Sequence, residues 1–486
     1  MTTEIKILLA VLGGLFLLLL IGVAILLIRA LRFKPEPTVA EEVEPVFVNS
    51  EKATHDLAEM IKCRTISNRD RSLEEDAEFE KFKSLLHELF PNVYKKCTAE
   101  YPTDRSILLH WKGKKSDAPT VLMSHFDVVS VVEEDWEKPA FEGVIDKGVL
   151  WGRGTLDTKG TLNGALQAAE ALIEEGFIPE NDIYFAFSGN EEINGGGAPA
   201  IVDLFEERGI TPGLVVDEGG AVVENVFPGV TQPAALIGVC EKGMLNVQYT
   251  VKGGGGHSSS PAPHTPVGRL SKACCKLENH PFKYTLHPAA LAMFDTMGRH
   301  STFLYRLLFA NIKVFTPLLD VFTRLTGGEL NAIVRTTTAF TMMEGSQGVN
   351  VIPPVAKMMS NHRLVPGDTQ EKILDEIKKV CEDEHVKVER LEGMDPSRTS
   401  LFEGDAWDRV KAAVGKTWPE AIVSPYPMVA CSDSRHWGRI SDKVYRFSAM
   451  ALSKEERGTI HGNNERIPLA TIAKTVEFYI RLIKKS

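Results

Sequence analysis

The polarity pattern of the chain opens on a run with no polar break. Ile7 to Ile28 are 22 consecutive uncharged residues, nearly all Leu, Ile, Val, Ala or Gly. As a helix this run would span about 33 Å, enough to cross a bilayer core of about 30 Å. A signal peptide has a shorter apolar region, about 7–15 residues, followed by a small-residue cleavage site. Here the run ends in Ile25-Leu26-Leu27-Ile28-Arg29, with no Ala-x-Ala beside it. The pattern predicts an uncleaved single-pass anchor within residues 1–35, with a secreted form after signal cleavage as the alternative. Arg29, Arg32 and Lys34 follow the span while Lys6 and Glu4 precede it, which favours a cytoplasmic body by the positive-inside rule. No asparagine begins an Asn-x-Ser/Thr site, in keeping with that side or with a host that does not glycosylate. Residues 36–49, rich in Pro, Glu and Val, read as a linker.

From about Ser50 the pattern alternates between helical periods and short apolar runs. Leu73–Leu89 and Lys159–Glu175 carry the 3.6-residue period, while Thr120–Ser124, Asp182–Phe187 and Gly213–Val216 read as buried strands. This alternation predicts an α/β layer with a mixed, largely parallel sheet covered by helices. Near Glu241 the rhythm changes. Leu245–Val251 reads as a strand, Pro266–Glu278 as a helix, Thr336–Met343 and Ala356–Leu364 as strands, Thr369–Asp383 as a helix and Val386–Leu391 as a strand. That order, βαββαβ, is the ferredoxin-like plan. Beyond Gly393 the α/β rhythm returns and ends in a helix over Leu469–Ile483. The expected organisation is a catalytic domain of residues 50–241 and 394–486, with a lid or dimerisation domain inserted at 242–393.

The lid domain itself carries an apolar insertion at 283–332. Within it Ser301–Leu325 holds 15 apolar residues in 25, including Phe303, Phe309, Phe315 and Phe322. Two readings stay open: a hydrophobic helix pair closing the small domain's core, or an apolar surface for a greasy substrate or a membrane.

Composition narrows the class. At 486 residues, 43% apolar and 25% charged, the chain is neither disordered, collagenous nor a multi-pass membrane protein. A net charge of −10 offers no general attraction for nucleic acid, and none is expected as a partner. Seven cysteines without a CxxC pair exclude a disulfide scaffold or a zinc knuckle.

The chemistry gathers where the large domain's strands end. Thr120–Ser124 runs into His125-Phe-Asp127; Asp157 stands just before a helix in Gly152-Arg-Gly-Thr-Leu-Asp-Thr-Lys-Gly160; Asp182–Phe187 runs into Gly189-Asn-Glu191-Glu192; Gly213–Val216 runs into Asp217-Glu218-Gly-Gly220. Ligands of open α/β sheets sit at the carboxyl ends of strands. Carboxylates and imidazoles converging there call for a cation, and mixed His/carboxylate donors suit zinc, with manganese or cobalt as substitutes. His125 and Asp127, two residues apart on an extended segment, share a side, so one can ligate while the other orients it. Of the adjacent Glu191 and Glu192, one can ligate while the other moves a proton, the division that metal-assisted hydrolysis needs.

These motifs, with Gly253–Pro261 (GGGGHSSSP), Gly348–Arg363 (GVNVIPPVAKMMSNHR) and Ile460–Ile467 (IHGNNERI), resemble the co-catalytic zinc family of aminoacylase, glutamate carboxypeptidase and carboxypeptidase S. Arg335-Thr-Thr-Thr-Ala339, Asp433-Ser-Arg-His436 and Val444-Tyr-Arg-Phe447 resemble its N-fatty-acyl-amino-acid synthase/hydrolase branch. The resemblance runs from about residue 50 to the C-terminus. It implies two zinc ions per subunit, one on His125 and Asp217, the other on Glu192 and His461, with Asp157 as the bridge. It implies Glu191 as general base and Asp127 as support for His125. His461 comes from the resemblance alone, and His436 is a rival by residue type. In the lid the resemblance assigns His257 to the active site of a partner subunit in a homodimer. Asn350 and Arg363 would bind the substrate's carbonyl and carboxylate. The implied activity is hydrolysis, and reversible formation, of N-fatty-acyl amino acids, with a metallocarboxypeptidase acting on short peptides as the alternative.

Overall fold

The computed structural model describes residues 2–36 and 43–486. The buried apolar runs assemble into an eight-stranded mixed sheet. Its order is Thr98–Glu100, Ser106–Trp111, Asn181–Ser188, Lys115–His125, Leu214–Val223, Val444–Leu452, Ala234–Glu241 and Ile422–Met428. Lys115–His125 runs parallel to both of its neighbours, and Leu214–Val223 runs parallel to Val444–Leu452. Two strand ends, at His125 and Ser188, therefore open toward one edge, as parallel pairing requires, and Asp217 lies within the neighbouring strand.

Helices cover both faces. Lys159–Glu174 is buried along almost its whole length because it is sandwiched between the sheet and the helices Ser50–Ile61 and Leu469–Ile483. Gly164 permits that approach: a Cβ there would meet Thr475 Cγ2 at 2.5 Å. On the other face Gly197–Glu207 buries Ile201, Val202 and Phe205 against Tyr184 and Trp437.

A second, antiparallel sheet follows the order Thr337–Glu344, Val355–Leu364, Gly243–Lys252, Val386–Met394. Val355–Leu364 buries every second residue, the period-2 signature of a one-sided sheet. Helices Pro266–Glu278 and Gln370–Cys381 cover that side and close a separate core around Leu245, Val247, Leu270 and Ile377. The chain order is βαββαβ, an insertion within the large α/β unit.

The apolar insertion belongs elsewhere than expected. It forms helices Pro288–His300, Phe303–Phe309, Ile312–Thr326 and Gly328–Val334. Ala289, Met293, Phe294, Met297 and Phe309 join the core of the large domain, not that of the small one. Phe309 lies 4.8 Å from Phe227 and 5.7 Å from Phe294 between ring centres. Helix Pro288–His300 covers the edge strand Ile422–Met428, whose Pro425 and Pro427 have no N–H to offer a ladder. The small domain's sheet already has its two helices, so it leaves no apolar face for these.

The N-terminal run is one helix, Thr3–Arg32, with a mean hydropathy of 3.1 and no burial over its most apolar stretch. Only its foot docks. Asn311 Nδ2 donates to Leu26 O at 3.1 Å, Arg299 donates to Lys34 O at 3.2 Å, and the Arg299 guanidinium lies 4.7 Å above the Phe33 ring.

Candidate metal centre

The parallel strands deliver His125, and the loops after their neighbours deliver the carboxylates. His125 Nδ1 lies 3.0 Å from the Asp127 carbonyl, which fixes the proton on that nitrogen and leaves Nε2 free to ligate. Nε2 stands 2.9 Å from Asp157 Oδ1 and 3.4 Å from Glu218 Oε1. His461, on a left-handed turn with φ +57°, brings its Nε2 to 2.9 Å from Asp157 Oδ2 and 3.0 Å from Glu192 Oε2. Asp157 thus turns one oxygen to each imidazole. Two sets of donor atoms draw close enough to share a cation: His125, Asp157 and Glu192, and His125, Glu191 and Glu218.

The arrangement fits cations by its own physics. Donors on a tetrahedral zinc at about 2.0–2.1 Å lie roughly 3.3 Å apart, near the spacings found here. Glu192 Oε1 is buried without a hydrogen-bond partner, a costly state for a carboxylate oxygen unless an ion meets it. Burial pushes Glu191 well above the usual carboxylate range and Glu218 up to about 8. Burial would raise Asp157 too, but hydrogen bonds with His125 and His461 hold it below that range. Crowding so many carboxylates in a dry cleft is what a bound cation relieves.

Around the donors lies a frame. Asp127, fully buried, accepts from Glu191 N at 3.1 Å, Glu192 N at 3.2 Å and Ser67 Oγ at 2.7 Å. It therefore ties the Glu191-Glu192 turn to the His125 strand and acts as a positioning residue. Glu465 does the same for Asp157. Its Oε1 accepts from the backbone N–H of Gly154, Leu156 and Asp157 at 2.8–3.2 Å, and its Oε2 pairs with Arg153 Nη1 at 2.6 Å. Arg153 Nη2 in turn donates to Gly462 O at 2.8 Å, beside His461. Both partners are buried, so this clasp fixes the bridging carboxylate against the second imidazole.

One expected ligand is in neither donor set. Asp217 Oδ2 accepts from Ser434 N at 2.9 Å, while its neighbour Glu218 faces His125. The reason is the pleat: the strand continues as Leu214–Val223, and adjacent side chains point to opposite faces. Sequence reading missed Glu218 as a donor and gave Arg153 and Glu465 no role. The signal for Glu465 was its place in the Ile460–Ile467 motif. His436, the rival imidazole, joins no donor set among the described residues.

The lid residues stand apart from the cluster. His257 and Asn350 share a corner: His257 pairs with Val351 in a two-residue strand, and Ser258 N donates to Asn350 O at 3.0 Å. His257 is exposed and its Nδ1 bonds Ser259 Oγ at 2.8 Å. Among the described residues neither has a hydrogen bond to the metal-donor cluster. Arg363 lies nearer the cleft, with Nη1 3.7 Å from Cys431 Sγ, between lid strand and catalytic domain.

Comparison with known proteins agrees with this fold. The profile of peptidase family M20/M25/M40 matches residues 121–485, and the chain belongs to that family. It is a metallopeptidase-class enzyme, a peptidase or amidohydrolase. A Dictyostelium discoideum protein described as a probable carboxypeptidase S-like 2 is 34% identical over 96% of this chain and 93% of its own. The N-fatty-acyl-amino acid synthase/hydrolase PM20D1 of Xenopus tropicalis is 35% identical over 83% of this chain and 80% of its own. An M20 family metallo-carboxypeptidase of Sulfolobus solfataricus superposes with a TM-score of 0.64 at 19% identity, covering 89% of this chain and 98% of that one.

Proposed function

We propose that the protein is a dinuclear zinc amidohydrolase that cleaves, and in reverse forms, the amide bond of N-fatty-acyl amino acids. The observation that carries this reading is the two-sided Asp157, whose oxygens face His125 and His461 separately. His125 and Glu218 would hold one ion, Glu192 and His461 the other, with Asp157 between them. The ions would polarise the amide carbonyl and acidify the attacking water. Glu191, free of a ligand's duty in this scheme, takes the water's proton and returns it to the nitrogen of the departing amino acid. Asp127 holds Glu191 at its post through the backbone. Arg363 binds the substrate's carboxylate, for which a guanidinium fork is well suited, and Asn350 binds the carbonyl oxygen. His257, exposed at the lid's corner, completes the site of a second subunit in a lid-to-lid homodimer. Hydrolysis and synthesis share one transition state, so one site serves both directions.

Residues 3–32 anchor the chain in a membrane as a single uncleaved span. The docked foot supports this, since cleavage beyond Leu26 would remove the Asn311–Leu26 bond. The fatty-acyl substrate draws support from the PM20D1 relative, and the carboxypeptidase S-like relative favours the alternative of short peptides. The two differ only on the acyl side of the scissile bond.

The test is metal analysis combined with turnover of N-oleoyl-phenylalanine and of a dipeptide. Two zinc ions per chain, hydrolysis of the oleoyl substrate and its formation from oleate and phenylalanine are expected. Turnover of the dipeptide alone would establish the carboxypeptidase, and one ion per chain or fewer at saturating zinc would sink the dinuclear site.

A further inference from the structure

Helix Ile312–Thr326 turns an apolar face outward. Val314, Leu318, Val321, Phe322 and Leu325 fall at spacings of four, three, one and three, which gathers them on one helical face. All five are exposed, from 49% for Phe322 to 82% for Leu325. The opposite face, turned to the protein, mixes partly buried Ile312, Phe315 and Leu319 with Asp320 and Thr323. Asp320 Oδ1 accepts from Arg335 Nη2 at 2.7 Å, Thr323 Oγ1 accepts from the same nitrogen at 3.0 Å, and Thr323 is the helix's one buried residue. A helix on a water-soluble surface does the reverse. The preceding helix, Phe303–Phe309, adds exposed Phe303 and Leu304 while packing on the N-terminal span.

We infer that these two helices are a second membrane contact, lying in the bilayer interface beside the span with their apolar face among the acyl chains. The reading rests on residues 3–32 being an uncleaved anchor. Continuity chooses a bilayer as the occupant. The exposed face adjoins a helix whose own apolar side chains are exposed from Ile5 to Ile25, and a protein partner would have to cover one surface while leaving lipid on the next. Charge agrees. Arg29, Lys313 and Lys411, with Phe33, Phe309 and Trp407, line a cavity of about 680 Å³ at the foot of the span. Basic groups beside an apolar surface suit anionic headgroups at the membrane boundary. A span alone leaves the catalytic body free to swing; a second contact fixes one side of it against the membrane.

Depth-dependent quenching tests this on the full chain reconstituted into phosphatidylcholine vesicles, with and without bromine on the acyl chains. Tryptophan is introduced by Leu318→Trp at the proposed seat, Phe16→Trp in the span and Leu391→Trp on a lid strand. Leu318 and Leu391 are exposed, so neither change disturbs a core, and Leu325→Trp serves as a second probe of the same face. The emission added by Leu318→Trp is expected to fall in brominated vesicles to an extent comparable with Phe16→Trp, while that of Leu391→Trp persists. Quenching of Phe16→Trp without quenching at 318 and 325 would overturn the seat and leave the anchor standing. Failure of all probes to quench would remove the anchor, and the seat with it. Unquenched but blue-shifted emission at 318 would give the face to a protein, such as a second copy of this chain. Equal quenching at 391 would show that the vesicle contact is unselective, and would likewise overturn the seat.

Discussion

The metal cleft and the insertion invert the usual rule of folding in opposite senses. In the cleft, His125, Asp157, Glu191, Glu192 and Glu218 crowd charge into a largely dry space, where burial pushes carboxyls up and strands Glu192 Oε1. In the insertion, Val314, Leu318 and Leu325 stand in solvent while Asp320 and Thr323 turn inward to Arg335. Each arrangement costs folding free energy on its own. On the readings proposed above, each is relieved by something that is not protein: cations in one case, lipid in the other. The cleft's inversion is held by a stiff frame of buried hydrogen bonds, because catalysis needs atoms placed closely. The insertion's inversion needs only a surface, so its exposed side chains have few partners. Regions that violate the rule and are nevertheless tightly framed are sites of chemistry; those that violate it with loose side chains are sites of contact.

Substitutions can break this contrast at several strengths. The largest effect is expected from Glu191→Gln, which keeps shape but cannot accept a proton; kcat should fall about 100-fold to 10,000-fold with metal content unchanged. Retention of more than about a tenth of the wild-type rate would remove Glu191 as the base.

Next comes the buried part of the insertion. Phe309→Ala deletes a ring packed on Phe227 and Phe294, and should cost about 3–5 kcal/mol by denaturant unfolding. A loss below about 1 kcal/mol would mean that the insertion is not welded to the large domain.

The frame is tested by Glu465→Gln. It leaves every metal donor in place but weakens the clasp on Asp157, and should lower zinc affinity about 10-fold to 100-fold in competition with a chelator. Unchanged zinc affinity would make the clasp a fold-stabilising contact only.

The smallest expected change is Leu325→Ser. As a surface position it should alter global stability by no more than about 0.5 kcal/mol, in contrast with Phe309→Ala in the same insertion. A large destabilisation would mean that Leu325 is covered by protein in solution.

Much of the cleft was legible because its donors follow apolar runs. His125, Asp157, Glu191 and Glu192 each sit just past or between recognisable elements, and parallel pairing carries strand ends to one edge. Asp217 lies outside the donor sets, whereas its neighbour Glu218 is in one. Adjacent residues of a strand differ only in face. The strand pairs with Val444–Leu452 at Asp217 and resumes at Gly220, so Glu218 falls at a register shift that local pattern does not reveal. The clasp was illegible too, since Arg153 and Glu465 are more than 300 residues apart and meet only once the last helix is docked.

The sequence by itself determined the long N-terminal apolar helix, the two-unit organisation and the residue types of the site, because hydrophobic period and strand-end chemistry are local properties. The tertiary structure alone decided which carboxylate faces the imidazoles, which core receives the insertion and which face of Ile312–Thr326 turns outward. Those choices follow from long-range partners. Leu214–Val223 breaks register with Val444–Leu452 at Glu218, which faces His125, the covered sheet of the small domain excludes the insertion, and Arg335 draws Asp320 and Thr323 inward. An amphipathic pattern states that a helix has two faces; only its neighbours choose between them.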